Sequence, residues 1–344
     1  MGIAAKAWRR SADLIALANE IAAVYDISKS QAFGGVADLY FREKFTTVEI
    51  GSYCFCAPEV RRRYPLLCSK EKSQPALRRH NRPDAAALSE DKNRFYAFCR
   101  AQNIVHPEVY AVAGAGTLDL LATPQGDFIR KDLAGAYGSG FDTYEFRKGA
   151  IWSGAGDVHA DFAALLDDAK VAATPALFQA RLYDHPDLMA ASGRRSLQSL
   201  RIATYRGEGQ PARLLFGYLK MVAGDNVIDN FQKGMTGNFV AVPDQDSGQI
   251  IVGRRRRPGS VGIIDIERHP ETGQPLKDIR IPLWREAIAT CAAAHELMPG
   301  LDAIGWDIAV TADGPSILEA NAWFDPPQIA PETMSAADWR LIFG

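Results

Sequence analysis

The sequence predicts an α+β protein, on three observations. Strand-like and helix-like segments alternate irregularly, without a steady β-α-β rhythm, which favours packed layers over one doubly wound sheet. The first 87 residues read as short helices joined by basic, proline-containing links. The stretch GWDIAVTADGPSILEAN, residues 305–321, reads as a β-hairpin, with two apolar runs flanking an Asp-Gly-Pro turn.

The elements follow in order. Residues 4–25 carry apolar side chains along one side of a helix. Asp13 precedes LIALANEIAAVY and Asn19 and Glu20 interrupt it, so this is an amphipathic helix and not a signal peptide. Residues 30–88 mix short helical pieces with links such as RRRYPLL and RRHNRPD. No strand there leads into a glycine-rich turn, which argues against a Rossmann-type opening. Ser89 is expected to cap a helix over 90–102, with Phe95, Phe98 and Cys99 on one face. Residues 106–114 and 127–131 read as strands, and 161–170 as a helix. RIATYR (201–206), LLFGYLKMV (214–222) and FVAVP (239–243) are strands. RRRR at 254–257 reads as a solvated loop, or as a recruiter of an anionic substrate. WREAIATCAAAHELM (284–298) is an amphipathic helix that precedes the final hairpin, and no fixed-period repeat is present.

Composition narrows the function classes. A chain of 344 residues with 47% apolar content supports two or three domains or subdomains. A formal charge of −2 gives no general affinity for nucleic acid or membrane surfaces. No apolar run approaches the roughly 20 residues that span a bilayer. The five cysteines form no Cys-x-x-Cys pair, which fits reduced thiols and a cytoplasmic location. Cys54 and Cys56 lack the second ligand pair that a structural metal site needs.

The hairpin carries the chemistry. Glu319 and Asn321 are two apart, so on a strand they point the same way. An odd number of loop residues brings Asp307 to that face. Two carboxylates and an amide oxygen, with no Lys or Arg between them, then suit Mg²⁺. The plain alternative is a two-strand edge with solvated acids. Lys131 ends the 127–131 strand, and GAYGSG follows at 135–140. Gly135, Gly138 and Gly140 let backbone N–H groups approach an anion. No Lys-Ser or Lys-Thr follows them, and FDTYEF after them is strand-like, so neither a Walker A loop nor a dinucleotide fingerprint is present. The plain alternative is a hairpin tip with a surface lysine. Lys92 is a second candidate phosphate contact, or a solvated helix residue. FQARL (178–182) reads as extended; its backbone can pair with an adenine edge, and its default role is a core strand. Arg201 is either a surface charge or an anion ligand.

The order of these parts resembles the ATP-grasp superfamily, to which D-alanine–D-alanine ligase and biotin carboxylase belong. Residues from about 88 to 330 look most like the sugar-transfer-associated ATP-grasp group. The resemblance rests on SLQSLRIATY, VIDNFQKGMTGN, ERHPETGQPLKDIRIPLW and GWDIAVTADGPSILEAN. It implies two α+β subdomains that clamp ATP: 88–178 with the lysine and glycine flap, and 179–344 with the Mg²⁺ site. A mainly helical region, 1–87, precedes them and does not match the Rossmann-like leading domain of the ligases.

The resemblance also implies residue roles. Lys92 and Lys131 touch ATP phosphates, and a flap containing Gly135, Gly138, Ser139 and Gly140 covers them. Gln179, Ala180 and Leu182 line the adenine, with Asp187 or Asp184 at the ribose. Asp307, Glu319 and Asn321 hold Mg²⁺. Arg201 contacts the transferred phosphate or the acyl phosphate; Trp306 stands where several members carry an arginine, which makes Arg201 the electrophile-stabilising group or else leaves that role unfilled. Lys131 and Arg201 are the catalytic candidates. The implied reaction is ATP-dependent carboxylate–amine ligation through an acyl phosphate, in a pathway that makes a natural product, peptide or cell-surface glycan. Its substrates are a small-molecule or peptide carboxylate and an amine acceptor. Two alternatives stand beside it: a phosphotransferase on the same fold, and a non-catalytic ATP-binding component of glycan assembly. No Gly-x-Ser-x-Gly elbow or His-Glu-x-x-His motif competes. VIDNFQKGMTGN offers Asp229, Asn230, Lys233 and Asn238 to the acceptor side, or else forms a loop held by Asx-type bonds. His269 is a turn residue first and a substrate contact second.

Overall fold

The structure, a computed structural model, describes residues 3–133 and 140–344, with side chains from Ser11 onward except that of Val171. The N-terminal region is helical, as expected: α1 (Ile3–Tyr25), α2 (Lys29–Phe41), α3 (Thr47–Tyr53), α4 (Pro58–Arg63) and α5 (Lys70–Leu77). Leu14, Ile21, Val36, Leu39, Phe45 and Ile50 bury a small core among the first three helices. Thr46 and Glu49 close a reciprocal capping box at the start of α3.

Next come α6 (Pro83–Glu90) and α7 (Lys92–Ala101). The expected cap, Ser89, is not the cap. Pro83 starts α6 early, so Ser89 lies in its last turn and donates to the Ala86 carbonyl. Asp91 caps α7 by accepting from the Arg94 amide.

The first sheet holds β1 (Val109–Gly114), β2 (Thr117–Leu120), β3 (Phe128–Asp132), β4 (Asp142–Arg147), β5 (Ala150–Ser153), β6 (Val158–His159) and, after α8 (Phe162–Val171), β7 (Ala176–Ala180). The strand order is β2-β1-β7-β3-β4-β5-β6. Alternation decides its two faces. Phe128, Tyr144 and Phe178 pack against Phe162, Leu165 and Leu166 of α8. Ile129, Lys131 and Gln179 point the other way.

The chain crosses through α9 (Pro186–Ser192) into a second sheet: β8 (Ser199–Tyr205), β9 (Arg213–Met221), β10 (Phe239–Pro243), β11 (Ile250–Arg256) and β12 (Ile263–Ile266). Then follow α10 (Trp284–Glu296), β13 (Ala303–Thr311), β14 (Gly314–Asn321) and α11 (Ala336–Phe343). The order is β12-β11-β10-β9-β8-β13-β14. Trp284, Ala287, Cys291 and Ala294, spaced by helical turns on α10, pack on Leu200, Ile202 and Trp306. Phe95 and Cys99 of α7 join the same core. The expected boundaries at 87/88 and 178/179 fall inside α6 and β7. Among the described residues no helix is long and apolar enough to cross a membrane.

RRRR is not the solvated loop the charge run suggested. Arg254, Arg255 and Arg256 belong to β11, between β10 and β12. Arg254 is buried, and its guanidinium meets Glu332 Oε2 at 2.7 Å, the Ile329 carbonyl at 2.8 Å and Asp265 Oδ1 at 3.1 Å. Bidentate pairing makes burial of that charge tolerable.

A buried polar chain anchors β13. The Trp306 indole donates to Thr204 Oγ1 at 2.8 Å, and Thr204 lies 2.7 Å from His295 Nδ1. His295 Nε2 lies 2.8 Å from the Leu301 carbonyl, an acceptor only, which fixes the neutral tautomer. Burial pushes the His295 pKa down to about 4. The folded value lies below the unfolded one, so this stabilisation is complete above about pH 6.5 and drains away as pH falls toward 4. Urea unfolding between pH 7 and 4 should show an acid-side loss that a His295→Gln variant shows less of. Equal pH slopes in the two proteins would contradict this assignment.

Candidate functional site

The inward faces of the two sheets border one cavity of about 910 Å³. The second sheet places the chemistry by register. Tyr218 pairs with Arg201, Arg201 with Asp307, and Asp307 with Glu319, so the four form a row across β9, β8, β13 and β14. Lys220 and Ser199 flank the row on the same face.

The hairpin reaches this arrangement by an unexpected route. Thr311 pairs with Gly314, which leaves a two-residue loop. An even loop by itself pairs Asp307 with Leu318 and turns Glu319 to the opposite face. A register shift just beyond Asp307 leaves Leu318 unpaired and restores the parity. Asn321, two residues beyond Glu319, opposes Gly305.

The expectation of acids with no intervening Lys or Arg is overturned. Lys220 Nζ lies 3.1 Å from Asp307 Oδ1, and Arg201 Nε lies 3.3 Å from the same oxygen. Lys220 also lies 3.9 Å from Asp229, whose Oδ2 accepts from both the amide and the hydroxyl of Ser199. Lys92 Nζ lies 4.0 Å from Glu319. Strands β8 and β9 and helix α7 supply these cations, so hairpin spacing does not reveal them.

Burial alone raises the Asp307 carboxyl, but Arg201 and Lys220 overcome it and hold it below the usual carboxylate range. Burial opposes the Lys220 and Arg201 charges, yet Asp229 and Asp307 raise Lys220, and Asp307 foremost raises Arg201. Lys131 goes the other way. Burial, helped by the Lys92 charge, pushes its ammonium below the usual lysine range despite Glu319.

The cavity gathers Lys92, Lys131, Gln179, Ala180, Leu182, Arg201, Asp229, Asn230, Lys233, Asp307, Glu319 and Asn321 from the sequence candidates. Gly135, Gly138 and Ser139 lie outside the described residues. Gly140 stands beside the cavity, between its lining residues Asp132 and Phe141 in space and chain. Its φ is +66°, and a Cβ there falls onto the Asp132 carboxylate, so only glycine fits.

Four candidates are not among the residues that line the cavity. Asp187 sits in the exposed first turn of α9, against His185. Asn238 is fully buried and staples the 226–238 loop through Ala223 N, Ile228 O and Asn230 O. That is the Asx-type role, not an acceptor contact. His269 is buried edge-on to Phe239, and its Nδ1 accepts from the Glu271 amide. Asp184 is also buried and receives the Gln198 backbone and side-chain N–H groups.

Sequence reading missed Lys220, Tyr218, Asp325 and the wall formed by Thr46, Tyr53 and Lys70. One signal was available: a single lysine inside the apolar strand LLFGYLKMV is costly to bury unless it is paired. Thr46, Tyr53 and Lys70 come from segments far from the hairpin in sequence.

The described residues contain no group of three or more His, Cys, Asp or Glu side chains set to hold a metal. The donor set here is two carboxylates and an amide, the hard-oxygen type that suits Mg²⁺. Apart from Asp132 Oδ1, which is ion-paired with Arg130 at 2.8 Å, three buried polar atoms on cavity-lining residues have no hydrogen-bond partner among the described residues: Gln179 Oε1, Arg201 Nη1 and Asn321 Nδ2. Such atoms call for an outside partner.

Two antiparallel sheets facing across a lysine-lined cavity make the ATP-grasp fold. Residues 72–333 match the family described as sugar-transfer associated ATP-grasp, and the chain belongs to that family. No curated protein matches it. Among solved structures it is similar to D-alanine–D-alanine ligase from Bacillus anthracis complexed with ATP, at 11% identity and a TM-score of 0.40, covering 75% of this chain and 66% of that one. L-amino acid ligase from Bacillus licheniformis aligns at 11% identity and 0.37, covering 83% and 54%. N5-carboxyaminoimidazole ribonucleotide synthetase from Thermotoga maritima aligns at 10% and 0.36, covering 74% and 48%. The chain spans about half the length of the solved structures it matches.

Proposed function

We propose that the protein is an ATP-dependent carboxylate–amine ligase, acting in a pathway that builds a natural product, a peptide or a glycan. The observation that carries this reading is the meeting of Lys92, Lys131, Arg201 and Lys220 with Asp307 and Glu319 on one cavity between two sheets. That many cations, drawn from both sheets, suit a polyphosphate. The unpartnered Arg201 Nη1 supplies a donor to a phosphoryl or acyl-phosphate oxygen, and Gln179 Oε1 supplies an acceptor to a base amine.

The residues act by position and charge. Lys92 and Lys131 neutralise phosphate oxygens. Arg201 stabilises negative charge on the oxygens of the phosphoryl group as it passes from ATP to the substrate carboxylate, with ADP leaving. Asp307 orients Arg201 and Lys220 through its own ion pairs. Asp307, Glu319 and Asn321 would hold Mg²⁺, which would supply positive charge to neutralise the phosphates. No protein nucleophile is required, because an external amine completes the amide.

The test measures ADP and phosphate release with a panel of carboxylic acids, with and without amines, and traps activated acid with hydroxylamine. Hydroxamate formation that needs both ATP and a particular acid is the expected result. A stable phosphorylated product that no amine consumes would replace the ligase with a phosphotransferase.

A further inference from the structure

Lys220 sits between two carboxylates that both line the cavity. Its Nζ lies 3.1 Å from Asp307 Oδ1 and 3.9 Å from Asp229 Oδ1. All three side chains are largely buried. Both acids are held in place. Asp229 Oδ2 accepts from the Ser199 amide and from the Ser199 hydroxyl, each at 2.6 Å. Asp307 stands opposite Arg201 in register, and Arg201 Nε lies 3.3 Å from Oδ1.

The lysine is held as well. Lys220 pairs across β9 and β10 with the fully buried Val240, and directly paired residues share a face, so its stem rises from a packed floor. Burial opposes the ammonium charge, but Asp229 and then Asp307 keep its pKa above the usual lysine range. The group is therefore a permanent cation at neutral pH.

A divalent ion shared by Asp307 and Asp229 would need the space this ammonium fills. Mg²⁺ must approach its oxygens to about 2.0–2.1 Å in near-ideal octahedral geometry. It would also stand against a fixed positive charge where water screens little. The other end of the row differs. Both cations on Asp307 meet Oδ1, which leaves Oδ2 for another partner. Glu319 and Asn321 lie on the β14 side of Asp307, and Lys92 stays 4.0 Å from Glu319.

We propose that Lys220 stands in for a second divalent cation. The protein binds its nucleotide with one ion, at Glu319, Asn321 and Asp307 Oδ2, and Lys220 supplies the fixed positive charge between Asp307 and Asp229. This deepens the ligase reading and rests on its nucleotide and metal assignments. Phosphate-handling sites elsewhere use a pair of ions for such a clamp. Here half of that charge is built into β9, so turnover should saturate once the nucleotide carries its Mg²⁺, with no further activation by free Mg²⁺.

The test counts bound Mn²⁺, which takes the same oxygen ligands as Mg²⁺. Electron paramagnetic resonance of free Mn²⁺ is followed during titration of the full-length protein, with and without the β,γ-imido analogue of ATP. With the analogue, the parent and Lys220→Arg should bind one Mn²⁺. Lys220→Ala, which vacates the space and removes the charge, should bind one more, and adding Asp229→Asn to it should abolish that extra ion. Two Mn²⁺ in the parent overturn the proposal, and this count stands even if Lys220→Ala does not fold. A folded Lys220→Ala that gains no ion also overturns it. If the analogue does not bind at all, the ligase reading falls. The titration without nucleotide then decides the role of Lys220, because Lys220→Ala must still hold one Mn²⁺ more than the parent.

Discussion

Glu319→Gln should abolish turnover and leave the fold intact. The substitution keeps shape and volume but removes a full negative charge from the end of the row formed by Tyr218, Arg201, Asp307 and Glu319. On the proposed reading Glu319 is one of only two carboxylates that hold the divalent ion. Its loss should cut kcat by about 1000-fold or more, the scale seen when a principal charge-stabilising group is removed from an active site. Stability should barely move. The Glu319 side chain is 39% exposed, and its contact with Lys92 is 4.0 Å, so the pair adds little. The measurements are ADP release and urea unfolding on the same preparation. Undiminished ADP release in the variant removes Glu319 from the metal site.

Asp307→Asn should lose both activity and stability. Asp307 has a 14% exposed side chain and is the shared counterion of Arg201 and Lys220, whose side chains are 21% and 12% exposed. Neutralising it leaves two largely buried cations facing each other, a change that costs about 3–5 kcal/mol when one partner of a buried pair is removed. Adding Lys220→Met should recover most of that stability by deleting one of the stranded charges, while turnover stays absent. The double variant thus separates fold from chemistry. If Asp307→Asn unfolds at the parent's urea midpoint, Asp307 is not the electrostatic hub described above.

Much of the fold was legible locally. The helical N-terminal region, the 162–171 helix, the α10 stripe and the final hairpin follow from periodicity, because each needs only its own neighbours to satisfy its backbone and bury one face. Strands β2, β5, β11 and β12 were not legible. β2 is exposed along its whole length, and β11 presents as a charge run, so neither shows the alternation that marks a half-buried strand. Asn238 and His269 were polar residues in polar-looking segments, and spacing could not say that both point into the interior.

Local sequence alone singled out Asp307, Glu319 and Asn321 as the proposed oxygen donors, Lys92 and Lys131 as the proposed phosphate contacts, and the order of parts that marks the family. Only the tertiary structure decided what faces them. A register shift at Leu318, not loop length, set the common face of Asp307 and Glu319. Lys220, 87 residues away in the chain, became the partner of Asp307 because β9 and β13 flank β8 and the lysine reaches across it. Lys70 reached Asp325 across most of the chain. Side-chain direction along one strand is a local property of period two, whereas the partner across the sheet depends on register and packing, which no single segment contains.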